Sequence, residues 1–227
     1  MVVRLEHVVP WGRSLDEYRH MFDLDEDLLT GRILGCADGS ASFNAEMTAL
    51  GRSVVSCDPV YQFSATGIRE RVEVMYPVIL EQVRQSESDY VWDVIPTPEV
   101  LGEIRLAAME RFLADYEDGL ANGRYLPHAL PNLPFDSDAF DLALRSHFLF
   151  LYSKKLDTDF HVTAVLELLR VAKEVRIFPL LDLNCELSAH VQPVCGRLAA
   201  LGHEVRITAV PYEFQRGGNE MMRIVRS

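Results

Sequence analysis

Cysteine is scarce, and its spacing carries no metal signature. Four cysteines stand among 227 residues, at 36, 57, 185 and 195. None is paired as C-x-x-C and no paired-histidine motif accompanies them, so no metal site is expected. The expectation is four reduced thiols, as in a cytoplasmic protein. Long apolar runs are also missing. The most apolar stretch, Phe160 to Leu183, is broken by Glu167, Arg170, Lys173, Glu174 and Arg176, so no membrane span is expected. Met1 to His7 lacks a charged segment leading into an apolar run, which argues against a secretory leader. Basic charge is outweighed: 34 acids stand against 22 Lys and Arg, a net charge of −12. Gripping phosphates over a broad surface needs clustered Lys and Arg, so nucleic acid is not an expected partner. Repeats and low-complexity tracts are absent. With 48% hydrophobic and 25% charged residues, the composition is that of an ordinary globular domain able to bury one core.

Alternation of strands and helices organises the chain. An acidic helix is predicted over 14–29, with Ser14 and Glu17 as a capping box. Arg32–Cys36 reads as a buried strand ending in a glycine-rich turn, Ala41–Leu50 as a helix stopped by Gly51, and Ser53–Cys57 as a second buried strand closed by Asp58-Pro59. This is a βαβ unit with a right-handed crossover. Residues 61–124 read as helical throughout, with Pro77 as a kink or break and Thr97-Pro98 as a clean helix start. The segment carries 12 acids and 6 arginines and is longer than a crossover needs. It is therefore expected to be a helical insertion within a single domain, serving either as a lid over a site or as cover for the sheet. Alternation then resumes: strand Phe140–Leu144, helix His161–Val171, strand Val175–Leu180 and helix Ser188–Leu201. Strands Val205–Val210 and Met221–Val225 are too close for a helical crossover and must form an antiparallel hairpin. The predicted fold is a doubly wound α/β domain whose mostly parallel sheet has an antiparallel C-terminal edge.

The chemical signal is concentrated in Ile33-Leu34-Gly35-Cys36-Ala37-Asp38-Gly39-Ser40. A glycine-rich turn between the first strand and the next helix lets backbone approach a ligand and aims helix N–H groups at it. Asp58, 23 residues after Gly35, ends the next strand, where a carboxylate accepts both hydroxyls of a ribose. A nucleoside-containing cofactor is the inference. The Walker pattern is absent, which disfavours ATP or GTP in a P-loop. Ala37 and Ser40 occupy positions where a dinucleotide fingerprint has glycine, and no G-x-S-x-G elbow is present.

These features resemble the class I, Rossmann-like S-adenosylmethionine-dependent methyltransferases. Leu34 to Gly39 is similar to the family's L-G-C-G-x-G loop, with Ala37 in place of the middle glycine. Val54 to Asp58 is similar to its second strand and ribose-binding acid. Leu133-Pro134-Phe135-Asp136-Ser137-Asp138-Ala139-Phe140-Asp141-Leu142 is similar to its run into the fourth strand, and the terminal hairpin matches its strand order. Outside the insertion, the likeness extends over residues ~30–227 and implies a seven-stranded sheet. Within it, the runs S-H-F-L-F-L-Y-S and Y-E-F-Q-R-G-G-N resemble those of bacterial methyltransferase-like proteins of undefined substrate.

The resemblance implies S-adenosyl-L-methionine as cofactor. Gly35, Cys36, Ala37, Asp38 and Gly39 would form the loop under its methionine and ribose. Asp58 would hold the ribose, Pro59 and Tyr61 would pack near the adenine, and Leu130, Pro131, Asn132 and Leu133 would flank its other edge. Ser146 and His147 would border the methyl-donor sulfur. The segment before the L-P-F run, His128-Ala129-Leu130, has no acid for the adenine amine.

On the substrate side, His147 is read as a general base or orienting donor, because strand C-terminal ends carry ligands in such sheets and imidazole titrates near neutrality. A hydrogen-bonded structural histidine is the alternative. Tyr152 either orients substrate or packs. Arg216 either contacts a substrate carboxylate or phosphate, or belongs to a turn built on Gly217-Gly218. His161 and the acids of 16–27 read as structural, and Tyr90 and Trp92 as a lid wall or subdomain core. The expectation is a cytoplasmic methyltransferase for a small-molecule acceptor. A non-catalytic cofactor-binding sensor or scaffold is the alternative, and a nicotinamide-dependent oxidoreductase is disfavoured by the loop and the hairpin.

Overall fold

A computed structural model describes residues 11–226; the Met1–His7 reading lies outside them. The chain alternates β1 (Arg32–Cys36), β2 (Ser53–Cys57), β3 (Tyr125–Leu126), β4 (Phe140–Ser146), β5 (Ala172–Phe178), β6 (Glu204–Ala209) and β7 (Glu220–Val225) with six α-helices. The strands form one seven-stranded sheet in the order β3-β2-β1-β4-β5-β7-β6. β1 through β5 pair in parallel, while β7 runs antiparallel to both β5 and β6. The predicted doubly wound sheet and its C-terminal hairpin are both present.

Period-two alternation sends side chains to two cores. Leu34, Ala143, Val175 and Ile177 face a layer built by α5 (Thr158–Val171) and α6 (Val191–Ala200). Ile33, Leu142 and Leu144 face α1 (Leu15–Met21) and α2 (Phe43–Ala49). A third cluster joins α3 (Ala65–Gln85) to α4 (Pro98–Ala121) through Ile68, Val72, Phe112 and Tyr116, and reaches the sheet at Tyr125.

Local chemistry corrects several predicted boundaries. The helix predicted over 14–29 begins with its capping box but ends at Met21. Asp23 takes a left-handed φ of 47°, and the Asp25 carboxylate accepts from Leu28 N to start a separate 3₁₀ turn, which competes with helix continuation. Pro77 neither kinks the chain out of helix nor ends it: α3 runs through it. Pro77 and Glu73, whose carbonyl loses its donor, both lie on the exposed face, where water serves instead. Helix α5 starts at Thr158, three residues before His161, because Asp157 accepts from Phe160 N at 2.8 Å. β4 extends two residues beyond Leu144, β5 starts at Ala172, and α6 starts at Val191, with Pro193 in its first turn. β3 was not predicted; two residues carry no periodicity. Within 61–124, α4 packs on α2 and delivers the chain into β3, so it serves as the β2–β3 crossover, with α3 laid against it.

Candidate functional site

The C-terminal ends of β1, β2 and β4 converge on the glycine loop. Gly35 lies beneath the folded-back Asp38 side chain, and a Cβ there would sit 1.7 Å from Asp38 Oδ2. Ala37 and Gly39 both take φ of 55°, the left-handed region that favours glycine. Ala37 therefore adopts the backbone of the glycine it replaces. Ala37 N donates to Cys57 O at 2.8 Å, and Tyr61 Oη donates to Gly39 O at 2.8 Å. Asp38 accepts from Tyr18 Oη and Ser56 Oγ, each at 2.8 Å. Burial nonetheless pushes its carboxyl up to about 6, and the Asp58 charge adds to the rise. Asp58 accepts from Gly39 N at 3.0 Å and Val60 N at 2.8 Å. Burial raises its pKa as well. Each oxygen accepts one amide and retains capacity for a further donor.

Two cavities meet here, sharing Ala37, Gly39 and Asp58. One is largely apolar, lined by Cys36, Pro59, Phe63, Leu130, Phe148 and Arg145 among others. Arg145 donates to Cys36 O at 2.6 Å and lies 4.1 Å over the Phe148 ring. Its buried guanidinium, pushed down by desolvation, faces the charges of Asp38 and Asp58. The other cavity holds Asp38, Ser146, His147 and Tyr152. It is walled by the N-terminal segment, α3, the 86–97 loop and the β6–β7 loop. His147, at φ 46°, donates its backbone N–H to Phe178 O and pairs ring Nδ1 with Ser146 Oγ at 2.8 Å. Burial, then the Arg13 and Arg105 charges, hold its pKa well below the ordinary histidine value. It is thus neutral at neutral pH, and among the described residues Nε2 has no hydrogen-bond partner. Tyr152 is buried, which pushes its hydroxyl up to about 12.

The structure gathers Cys36, Ala37, Asp38, Gly39, Asp58, Pro59, Leu130, Ser146, His147 and Tyr152 around these cavities. It does not bring the remaining predicted residues to their walls. Gly35 lies below Asp38. Tyr61 supports the loop from behind through Gly39. Pro131 and Asn132 continue past the cavity, and Leu133 is buried with its N–H on Glu167. Arg216 is no cavity residue. Its Nε donates to Ser88 O at 3.1 Å and Nη2 to Tyr90 O at 2.9 Å, so it fastens the hairpin loop to the 86–97 loop. Val91 N adds a bond to Phe214 O, and the Tyr90 and Phe214 rings stack at 4.8 Å. Tyr90 is thus wall rather than subdomain core alone.

Sequence reasoning missed Arg145 and Arg13. For Arg145 a signal existed, since a cation at the end of an otherwise apolar buried strand is unusual. Arg13, in a segment without periodicity, carried none.

A sheet of this order, with a reversed strand inserted next to its edge, a glycine loop after β1 and an acid closing β2, defines the Rossmann-like methyltransferase fold. Within that fold, the chain belongs to the same family as the uncharacterized protein MJ0045 of Methanocaldococcus jannaschii. The two are 32% identical over 225 residues, 99% of each chain. No family model matches the sequence. Similar solved structures include magnesium protoporphyrin IX methyltransferase from Synechocystis PCC 6803, crystallised with bound SAM. It is 12% identical, with 94% of this chain and 78% of that one covered at a TM-score of 0.49. The PH0226 protein from Pyrococcus horikoshii OT3 is 14% identical, with 97% of each chain covered and a TM-score of 0.49. No described helix is long and apolar enough to cross a membrane, and the described residues contain no cluster of metal-ligating side chains.

Proposed function

We propose that this protein is an S-adenosylmethionine-dependent methyltransferase acting on a small-molecule acceptor in the cytoplasm. The observation that carries the reading is Asp58. It is a buried carboxylate at the end of β2, bonded to the amide of Gly39 and positioned where the two cavities join. A ribose diol satisfies its remaining acceptor capacity, and the adjacent apolar cavity suits an adenine between Pro59, Leu130 and Phe148. When bound, this cofactor supplies a methyl group already activated on a cationic sulfur.

The chain's own residues then bind, orient and exclude water. Ala37, Asp38 and Gly39 support the cofactor from the β1 side. Ser146 and His147 line the second cavity, and the donor would meet the acceptor beside them. His147 Nε2 takes the proton of an acceptor that arrives protonated. The imidazole is held neutral and accepts without first losing a proton, then returns the proton to solvent. Tyr152 orients the acceptor from the same wall.

Calorimetric titration with S-adenosylhomocysteine, with NAD and ATP as controls, tests the cofactor. One-site binding of the first alone is expected, and Asp58→Ala should weaken it by ~1–3 kcal/mol through a lost charge-assisted hydrogen bond. Absence of binding by the wild-type protein would sink the reading. His147→Ala is expected to lower turnover by ~10²–10⁴-fold with S-adenosylhomocysteine affinity unchanged; full activity removes it as the base.

A further inference from the structure

Arg13 is the cation of the second cavity, and among the described residues no carboxylate forms an ion pair with it. Nη1 donates to Trp11 O at 3.2 Å, while Nε is buried with no hydrogen-bond partner. The one acid whose charge bears on it, Glu17, is already committed. That carboxylate pairs with the fully buried Arg105 and accepts from Ser14 N and Tyr212 Oη. Two guanidiniums thus share one carboxylate, and the one that lines the cavity, Arg13, has no ion-pair partner of its own among the described residues. Arg13 is half-buried, but its Nε–H is buried and unpaired, and a ligand anion would supply the missing charge-assisted bond.

The arginine is also held in place. Gly12 lets the 11–14 segment lie directly on the turn after the glycine loop, where a Cβ would stand 2.2 Å from Ser40 O. Ser42 N donates to Arg13 O at 3.0 Å. A fixed donor loses little freedom on binding. Its field falls on His147, Tyr152, Tyr90 and Tyr212, the groups of the acceptor side. The cation acting on Asp38 and Asp58 is instead Arg145. The remaining wall is mainly apolar and includes the rings of Trp11, Tyr90 and Phe214, the last two stacked on each other. Each of the cavity's three acids has a donor of its own: Asp38 accepts from Tyr18 and Ser56, Asp58 from the Gly39 and Val60 amides, and Asp89 from Ser88.

We propose that the acceptor is an organic monoanion, a carboxylate on an aromatic body, and that Arg13 receives the carboxylate. This rests on the methyltransferase reading for the word acceptor, though not for the anion site itself. The test titrates benzoate, 4-hydroxybenzoate and 1-naphthoate, each beside its carboxamide, into the full chain saturated with S-adenosylhomocysteine. At least one carboxylate is expected to bind about tenfold or more tightly than its amide. Arg13→Gln should lose that preference and Arg13→Lys should keep part of it. The carboxylate–amide comparison needs no variant and decides the matter even if Arg13→Gln misfolds. Equal binding of acid and amide, no binding up to millimolar concentration, or an unchanged preference in Arg13→Gln overturns the proposal.

A second arm separates the cofactor's own carboxylate. If Arg13→Gln weakens S-adenosylhomocysteine but not 5′-methylthioadenosine, which lacks the amino-acid part, Arg13 serves the cofactor and the acceptor assignment falls. If the wild-type protein does not bind S-adenosylhomocysteine, the cofactor reading fails, and the same acid–amide comparison on the unliganded chain still decides whether Arg13 is an anion receptor.

Discussion

Asp38 is the residue whose environment most directly links stability to pH. Its carboxyl is buried beside a second acid and held at about 6, against 3.8 in the unfolded chain. The folded state therefore binds this proton more tightly than the unfolded state does. The contribution to stability is fully present below the unfolded value and is lost as pH rises through about 6. A separation of about two units sets an upper bound of roughly 3 kcal/mol. Asp38→Asn keeps an acceptor oxygen for one of the two hydroxyls, Tyr18 or Ser56, turns an N–H to the other, and removes the titration. Urea unfolding across pH 4–8 should thus give a flatter stability profile for the variant than for wild type. Identical profiles would mean that another group governs that range. The same residue explains Gly35, since only a hydrogen at that position leaves room for the carboxylate to fold back over β1.

At the scale of elements, α1 and α4 are joined by Glu17 and Arg105, both buried. Removing the acid leaves two guanidiniums with no counter-charge, and truncating one partner of a buried pair typically costs 3–5 kcal/mol. Glu17→Ala is expected to lose about that much in chemical denaturation, far more than an exposed pair such as Arg84–Glu99 would. A loss below about 1 kcal/mol would show that water reaches the pair. The capping box at Ser14 was legible because its two residues are three apart in sequence. The partner of Glu17 was not, because Arg105 is 88 positions away and reads, in the sequence, as one more charge on a helix. Arg216 stayed open between a ligand contact and a turn for a related reason: a cation beside paired glycines gives no sign of the distant loop carbonyls that it bonds.

For the whole molecule, five segments far apart in the chain close the cavity that holds His147: the 11–14 stretch, the second half of α3 with the loop after it, the β4–α5 loop, the β5–α6 loop and the β6–β7 loop. A lid role for 61–124 predicts that S-adenosylhomocysteine slows amide hydrogen exchange around Ile79–Tyr90 as well as in the glycine loop, with α6 unchanged. Slowing confined to the glycine loop would assign α3 to covering the sheet. The sheet itself was readable from the sequence, because buried parallel strands are apolar runs and the short gap before the last strand leaves only a hairpin. The β1–β2 half of the site was readable because its chemistry is local: a turn, then an acid at the next strand end. The His147 cavity was not, since no short-range pattern marks residues that meet only when five segments of the chain close together.

Cys185 is one of the side chains lining that same cavity, half-buried with its thiol beside Gln215 Nε2 at 3.2 Å. Cys36 and Cys57 pair across the β1–β2 register and are buried against the other, apolar cavity, with thiols driven well above the ordinary range by burial. Cys195 lies away on α6. The protein therefore carries a built-in gauge of its own occupancy. A ligand that fills the cavity should slow a thiol-modifying reagent at Cys185, while Cys195 supplies the reference rate within the same molecule.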